Sequence, residues 1–193
     1  MSEGSGWVQA VREVLRDGLS ISDAVLREDD PRAKCKPVQI RRSGKSVIVS
    51  FNAQITLSER REPVCIKDVL FPLFKEQEGV TRMCDYWILC EQGEERPVLY
   101  VLLCELKSDK PAGVAQIENG KLLAEHLVNM VAHHRGLDPS GVQFRGIVFS
   151  SATRAPKAGL RPGKVSYAPL GRLGIPITYL RCGEEWSLSA LCA

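Results

Sequence analysis

Three charged side chains set the problem posed by this chain: Asp85, Glu105 and Lys107. Val98–Lys107 (VLYVLLCELK) is almost wholly apolar until its last three residues, and it reads as a strand. Side chains alternate along a strand, so Glu105 and Lys107 project from one face and Leu106 from the other. The preceding run, Arg82–Cys90, is aromatic and branched and also reads as a strand, with Asp85 near its start. The segment between them, Gln92-Gly93-Glu94-Glu95-Arg96-Pro97, is turn-like, so the two strands should pair antiparallel. Two carboxylates and an ammonium then meet at one sheet edge. Carboxylates about 4 Å apart repel by roughly 4 kcal/mol at an effective dielectric near 20. A divalent cation removes that conflict, and Mg²⁺ favours one or two carboxylates plus waters and phosphate oxygens. Asp85 and Glu105 are the expected ligands, with the backbone carbonyl of Leu106 as a third. Lys107 would position an attacking water or steady developing negative charge. This is a chemistry for cutting phosphodiesters.

The elements that must hold these groups follow in order. Ala112 to His134 is the best helix in the sequence, with Ile117, Leu123, Ala124, Leu127, Val128 and Val131 forming a core-facing stripe. Pro111 suits its start and Gly136 its end. Gln116 falls in its first turns, within reach of the strand that carries Lys107. Val142–Ser150 and Ile175–Arg181 read as further strands, and Trp186–Leu191 as a short terminal helix. His126, His133 and His134 lie late on the long helix, away from the carboxylates, and are not expected to act as bases.

Asp85, a gap of nineteen residues, Glu105-Leu106-Lys107 and a helix bearing Gln116 together resemble the PD-(D/E)XK nuclease superfamily. The resemblance implies an α/β (α+β) restriction-endonuclease-like core: a central mixed β-sheet flanked by helices, in α-β-β-β-α-β order. It implies a divalent-metal-dependent nuclease using Mg²⁺ or Mn²⁺, with catalytic residues Asp85, Glu105, Lys107 and Gln116. A further metal-ligating Glu on the preceding helix is common in the family. Glu62 is the nearest match, with Glu59 and Asp68 behind it. Two positions depart from the pattern. Cys84 stands where the motif has Pro, and Gly120 stands where a Tyr often follows the Gln by four residues.

At 193 residues, the chain is expected to be a single domain: an N-terminal helical extension over 1–30, a basic hairpin over 31–58 and the nuclease core over 59–182. Helices are expected over 5–19, within 21–28 and within 59–78. Val38–Ile40 and Lys45–Phe51 flank Ser43-Gly44 as a hairpin whose second arm runs on toward Leu57. No apolar run is long enough to cross a bilayer, and the amphipathic, acid-bearing N-terminus resembles neither a secretory signal nor a transit peptide. The expected location is cytoplasmic. The seven cysteines include no C-x-x-C pair. They read as small buried hydrophobes, with Cys84 and Cys90 on one strand face, and neither a zinc site nor a disulfide is expected.

The net charge of +3 conceals an asymmetry. No acid occurs from Pro31 to Ser58 or from Pro139 to Gly183, whereas the acids concentrate between Glu59 and Glu125. Basic stretches flanking an acidic centre suit a polyanion held around a metal. Arg41, Arg42, Lys45, Arg154, Lys157, Arg161 and Lys164 are the candidate nucleic-acid contacts. The expected partner is nucleic acid, DNA before RNA, without membrane. A chain this small has little room for a sequence-reading domain, which points to low specificity, a homodimer or a partner subunit that directs it. The reading from another class is a nuclease-like module that no longer cuts and docks nucleic acid or a protein.

Overall fold

The computed structural model describes residues 6–52, 54–55, 63–65, 80–93, 97–108, 112–151 and 165–193. Its order is α1 (Trp7–Val14), β1 (Ser20–Ile21), β2 (Val25–Leu26), β3 (Val38–Arg41), β4 (Ser46–Ser50), β5 (Gln54–Ile55), β6 (Val64–Cys65), β7 (Tyr86–Gln92) and β8 (Val98–Lys107). There follow α2 (Val114–Arg135), β9 (Gln143–Ser150), β10 (Ala168–Leu170), β11 (Ile175–Arg181), β12 (Glu185–Ser187) and α3 (Leu188–Cys192). The fold is mixed α/β. A seven-stranded mixed sheet runs β1-β4-β7-β8-β9-β11-β10, and a three-stranded sheet runs β12-β3-β2.

The apolar character of β7 and β8 follows from their place in the middle of the large sheet, covered on both faces. Odd-numbered residues Trp87, Leu89, Leu99, Val101 and Leu103 pack under α1 and α2, with Val8, Val11, Ile117, Ala124, Val128 and Val131. Even-numbered Ile88, Cys90, Leu102, Cys104 and Leu106 face the small sheet and α3, meeting Leu26, Val38, Ile40, Leu188 and Leu191. β4, β7 and β8 are successive antiparallel neighbours. β9 lies parallel to β8, the crossover between them being α2, and β11 lies parallel to β9. α2 ends on Gly136, whose φ of 65° lets the chain leave in the left-handed conformation.

Several expectations are corrected. β3 and β4 do not form a hairpin: β4 is buried on both faces and joins the large sheet, whereas β3 alternates buried and exposed residues and stacks in the layer above. The second arm does not run on, since Gln54–Ile55 pairs separately with Val64–Cys65. The large sheet therefore spans the division expected at residue 58, because β4 pairs with β7. Residues 21–28 hold no helix. Their short apolar run is too brief to nucleate one, and the backbone pairs instead with β4 and β3. Helix α1 stops at Val14 rather than running to residue 19. Cys84 and Cys90 fall in different cores, because strand alternation begins only at Tyr86. Cys35 and Cys182 are joined in a disulfide, against the expectation of free thiols. Within 59–78, where a helix is expected, Val64–Cys65 is strand β6, because it pairs with Gln54–Ile55, and residues 59–62 and 66–78 lie outside the described residues. No helix among those described is long and apolar enough to cross a membrane.

Candidate active site

The β7–β8 ladder closes with Tyr86 paired to Cys104, so the next step sets Asp85 opposite Glu105. Residues opposite each other on antiparallel strands hold their Cβ atoms about 4.5–5.5 Å apart. One step further Leu106 should face Cys84, but there the ladder is replaced. The Cys84 N–H donates to the Gln116 carbonyl at 3.2 Å, and the Leu106 N–H donates to Asp85 Oδ2 at 2.9 Å. A strand residue directs its N–H and C=O to the same neighbour. The Leu106 carbonyl therefore lies on Asp85's side of β8. Asn52 Nδ2, at the end of β4, sits 3.5 Å from the other Asp85 oxygen.

Glu105 is 3 % exposed, and Lys107 Nζ lies 2.5 Å from its Oε1. The two point from one face, as the strand period requires. Gly113 caps the start of α2 directly over them. A Cβ there would stand 2.9 Å from Glu105 Cγ, and its φ of 141° is a conformation that side chains rarely adopt. Glycine at 113 lets the helix begin against the carboxylate stem. Gln116 is half-buried one turn on, and its backbone is tied to the residue before Asp85. The expected catalytic residues thus lie toward one end of the sheet: Asp85 and Glu105 occupy opposite strand positions, Lys107 pairs with Glu105, and the Gln116 carbonyl is bonded to the residue before Asp85.

The two departures from the expected motif touch. A Cβ at Gly120 would fall 2.5 Å from Cys84 Sγ and 3.3 Å from Trp87 Nε1. No tyrosine fits there while Cys84 holds its place. Burial pushes the Cys84 thiol well above its ordinary range, and the charges of Glu105, Cys104 and Asp85 push it further. It stays protonated beneath the carboxylates. The same carboxylates, after burial, raise Cys104.

Other expected contacts sit elsewhere. β4 runs from Ser46, opposite Cys90, to Ser50, opposite Tyr86, so Arg41, Arg42 and Lys45 lie at the end of the sheet remote from Asp85. Arg41 pairs with Glu185 at 3.4 Å, and Arg42 donates to the carbonyls of Ile21 and Ser22. Arg41 thus pairs within the small sheet and Arg42 ties to the turn after β1, both away from the carboxylates. Glu59, Glu62, Asp68, Arg154, Lys157, Arg161 and Lys164 lie outside the described residues. His126 is twelve residues beyond Val114, about 18 Å along α2. With His134 it lines an apolar groove of about 350 Å³ beside Phe51, Trp87 and Met130.

Asn52 and Ser108 escaped the sequence reading. Neither carries a motif, and each gains its place only through pairings between distant strands. Among the described residues no three of His, Cys, Asp and Glu converge as a ready metal cage. Two carboxylates and a backbone carbonyl, oxygen donors all, suit a hard cation such as Mg²⁺ better than zinc. Comparison with protein-family models, with curated proteins and with solved structures returned no match to this chain.

Proposed function

We propose that this chain is a divalent-metal-dependent nuclease of the restriction-endonuclease-like kind, acting on DNA before RNA. The observation that carries the proposal is the meeting of Asp85, Glu105 and Lys107 at the point where the β7–β8 ladder gives way to a side-chain hydrogen bond. With β1–β3, β5 and β6 set aside, and with α1 in place of the helix expected within 59–78, the order α1, β4, β7, β8, α2, β9 is compatible with the α-β-β-β-α-β pattern that the motif implies.

In this reading Asp85 and Glu105, with the Leu106 carbonyl, would hold Mg²⁺ or Mn²⁺. Such an ion, when bound, would supply polarisation of the phosphodiester and an offset to the charge that builds on it. The Leu106 amide fixes the Asp85 carboxylate, so one oxygen is oriented before substrate arrives. Lys107, paired with Glu105, turns an N–H toward a phosphate oxygen or an incoming water. Gln116, on a helix pinned to residue 84, steadies the substrate. Attack by water forms one P–O bond and breaks another, leaving a phosphate on one end of the strand and, once the leaving oxygen has taken up a proton, a hydroxyl on the other.

One observation favours the non-cutting module: the Glu105–Lys107 pair is charge-complementary without an added ion. Incubation with single-stranded DNA, duplex DNA and RNA, in Mg²⁺, Mn²⁺ or EDTA, separates the two. The nuclease reading expects metal-dependent cleavage that Asp85→Ala and Lys107→Ala each abolish. Cleavage surviving either substitution removes the assignment, and metal-insensitive binding without cleavage selects the docking module.

A further inference from the structure

The two acid-free stretches of the sequence are brought together in space, and this convergence is not used by the carboxylate centre. Cys35 belongs to the first stretch and Cys182 to the second, and their disulfide joins them across 147 residues. A cleft of about 400 Å³ opens beside the cross-link, with Lys34, Lys36, Ser151, Arg181 and Glu184 among the described residues on its walls.

The cleft adjoins Lys107 by sheet register. Lys107 lies beside Ser150 on β9, and Ser150 lies beside Arg181 on β11. Paired residues share a face, so Lys107 and Arg181 stand two strands apart, about 10 Å, both on the α2 face. The cleft lies beside Cys182, which faces the small sheet, and is reached from Lys107 around the sheet end. The opposite wall is fastened to the same place. Ser108, the residue after Lys107, accepts from the N–H groups of Lys34 at 2.7 Å and Cys35 at 3.2 Å. Its hydroxyl donates to Glu28 at 2.6 Å. The Ser151 hydroxyl donates to the Ser108 carbonyl. One wall is thus held by the end of β8 and the other by β11, with a covalent bond between them.

We infer that this cleft is a phosphodiester-binding subsite through which a nucleic-acid strand runs to Lys107, with Lys34, Lys36 and Arg181 as its phosphate contacts. The inference rests on reading the neighbouring centre as the place of cleavage, and names how its substrate is held. Among the described residues, three cations on backbones held in place before binding outnumber Glu184 and Glu28, which suits a nucleic-acid backbone read by charge without base specificity. The disulfide keeps both walls at one spacing, so less order has to be imposed when the strand arrives.

The test is fluorescence anisotropy of a labelled single-stranded DNA in EDTA, using the intact oxidised chain. Wild type is compared with Lys36→Gln, Arg181→Gln, and the triple variant Lys34→Gln/Lys36→Gln/Arg181→Gln, with unfolding midpoints confirming folded protein. The triple variant should bind at least about tenfold more weakly. Its slope of log K against log salt should fall by about 2, from roughly 0.7 for each lost single-strand contact. Arg135→Ala, which removes one charge at the far end of α2, should leave binding unchanged. Wild-type affinity in the triple variant, or no binding by wild type, overturns the subsite. Asp85→Ala keeps the two readings apart. It should bind normally in EDTA while losing cleavage, so a failed subsite beside a functioning centre, or the reverse, is visible.

Discussion

Gly120→Ala tests how the carboxylate centre is supported. In an open helix the substitution would stabilise by about 1 kcal/mol. Here the new methyl arrives 2.5 Å from Cys84 Sγ, 3.3 Å from Trp87 Nε1 and 3.7 Å from Leu103 Cδ2, all beneath α2. Cys84 and Leu103 are wholly buried and cannot swing into solvent. Overpacking costs about 1–3 kcal/mol. A 2.5 Å approach to a buried sulfur belongs in the upper part of that range, about 2–3 kcal/mol, so the single variant should lose roughly 1–2 kcal/mol net. Cys84→Ala removes the obstructing sulfur at a cost of about 1 kcal/mol. On that background Gly120→Ala should become neutral or stabilising, giving a coupling of about 2 kcal/mol in a double-mutant cycle. Urea denaturation of the four proteins reads it. Function should follow, because Cys84 precedes Asp85 and its N–H is bonded to α2. Gly120→Ala should therefore impair cleavage, with recovery in the double variant. Effects that add to within about 0.5 kcal/mol, or a single variant as stable as wild type, would refute the close packing of α2 on residue 84.

Two predictions concern the cysteines. Closing 147 residues of chain with the Cys35–Cys182 disulfide is worth up to about 5 kcal/mol by loop entropy. Reductant should lower the unfolding free energy by about 2–5 kcal/mol, and equal urea midpoints with and without it would contradict this. Cys84 and Cys104 are both raised above an ordinary value near 9. Below that pH both states hold the protons and stability is level. Above it the unfolded chain releases them first, so stability falls as pH rises, by up to about 1.4 kcal/mol per pH unit for each thiol. Cys104→Ala should flatten the stability profile between about pH 9 and 11, and an unchanged slope would count against the burial argument.

What was legible in the sequence was what local pattern controls. The apolar run ending in Glu105-Leu106-Lys107 could only be a central strand, and its alternation put acid and base on one face. The stripe along α2 and the strand at Ile175–Arg181 follow from the same periodicities. What failed depended on partners far along the chain. Val38–Ile40 and Lys45–Phe51 carry every mark of a hairpin. Yet β4 is apolar on both faces and belongs between layers, which only the positions of β7 and α1 reveal. The carbonyl and carboxylate partners of Arg41 and Arg42 come from residues 21, 22 and 185, which local pattern does not show. The disulfide was invisible for the same reason: nothing near Cys35 points to Cys182. Asp85 was found by motif, but its bond to the Leu106 amide arises because the strand ladder stops one residue short of it.

The central claim is that Asp85 and Glu105 share one cation. Titration of Mn²⁺ into the protein, followed by calorimetry or by loss of the free-ion paramagnetic signal, tests it without any substrate. Wild type should take up one ion per chain at a site that Asp85→Asn and Glu105→Gln each remove while the fold persists. Undiminished uptake in either variant, or none in wild type, would contradict it.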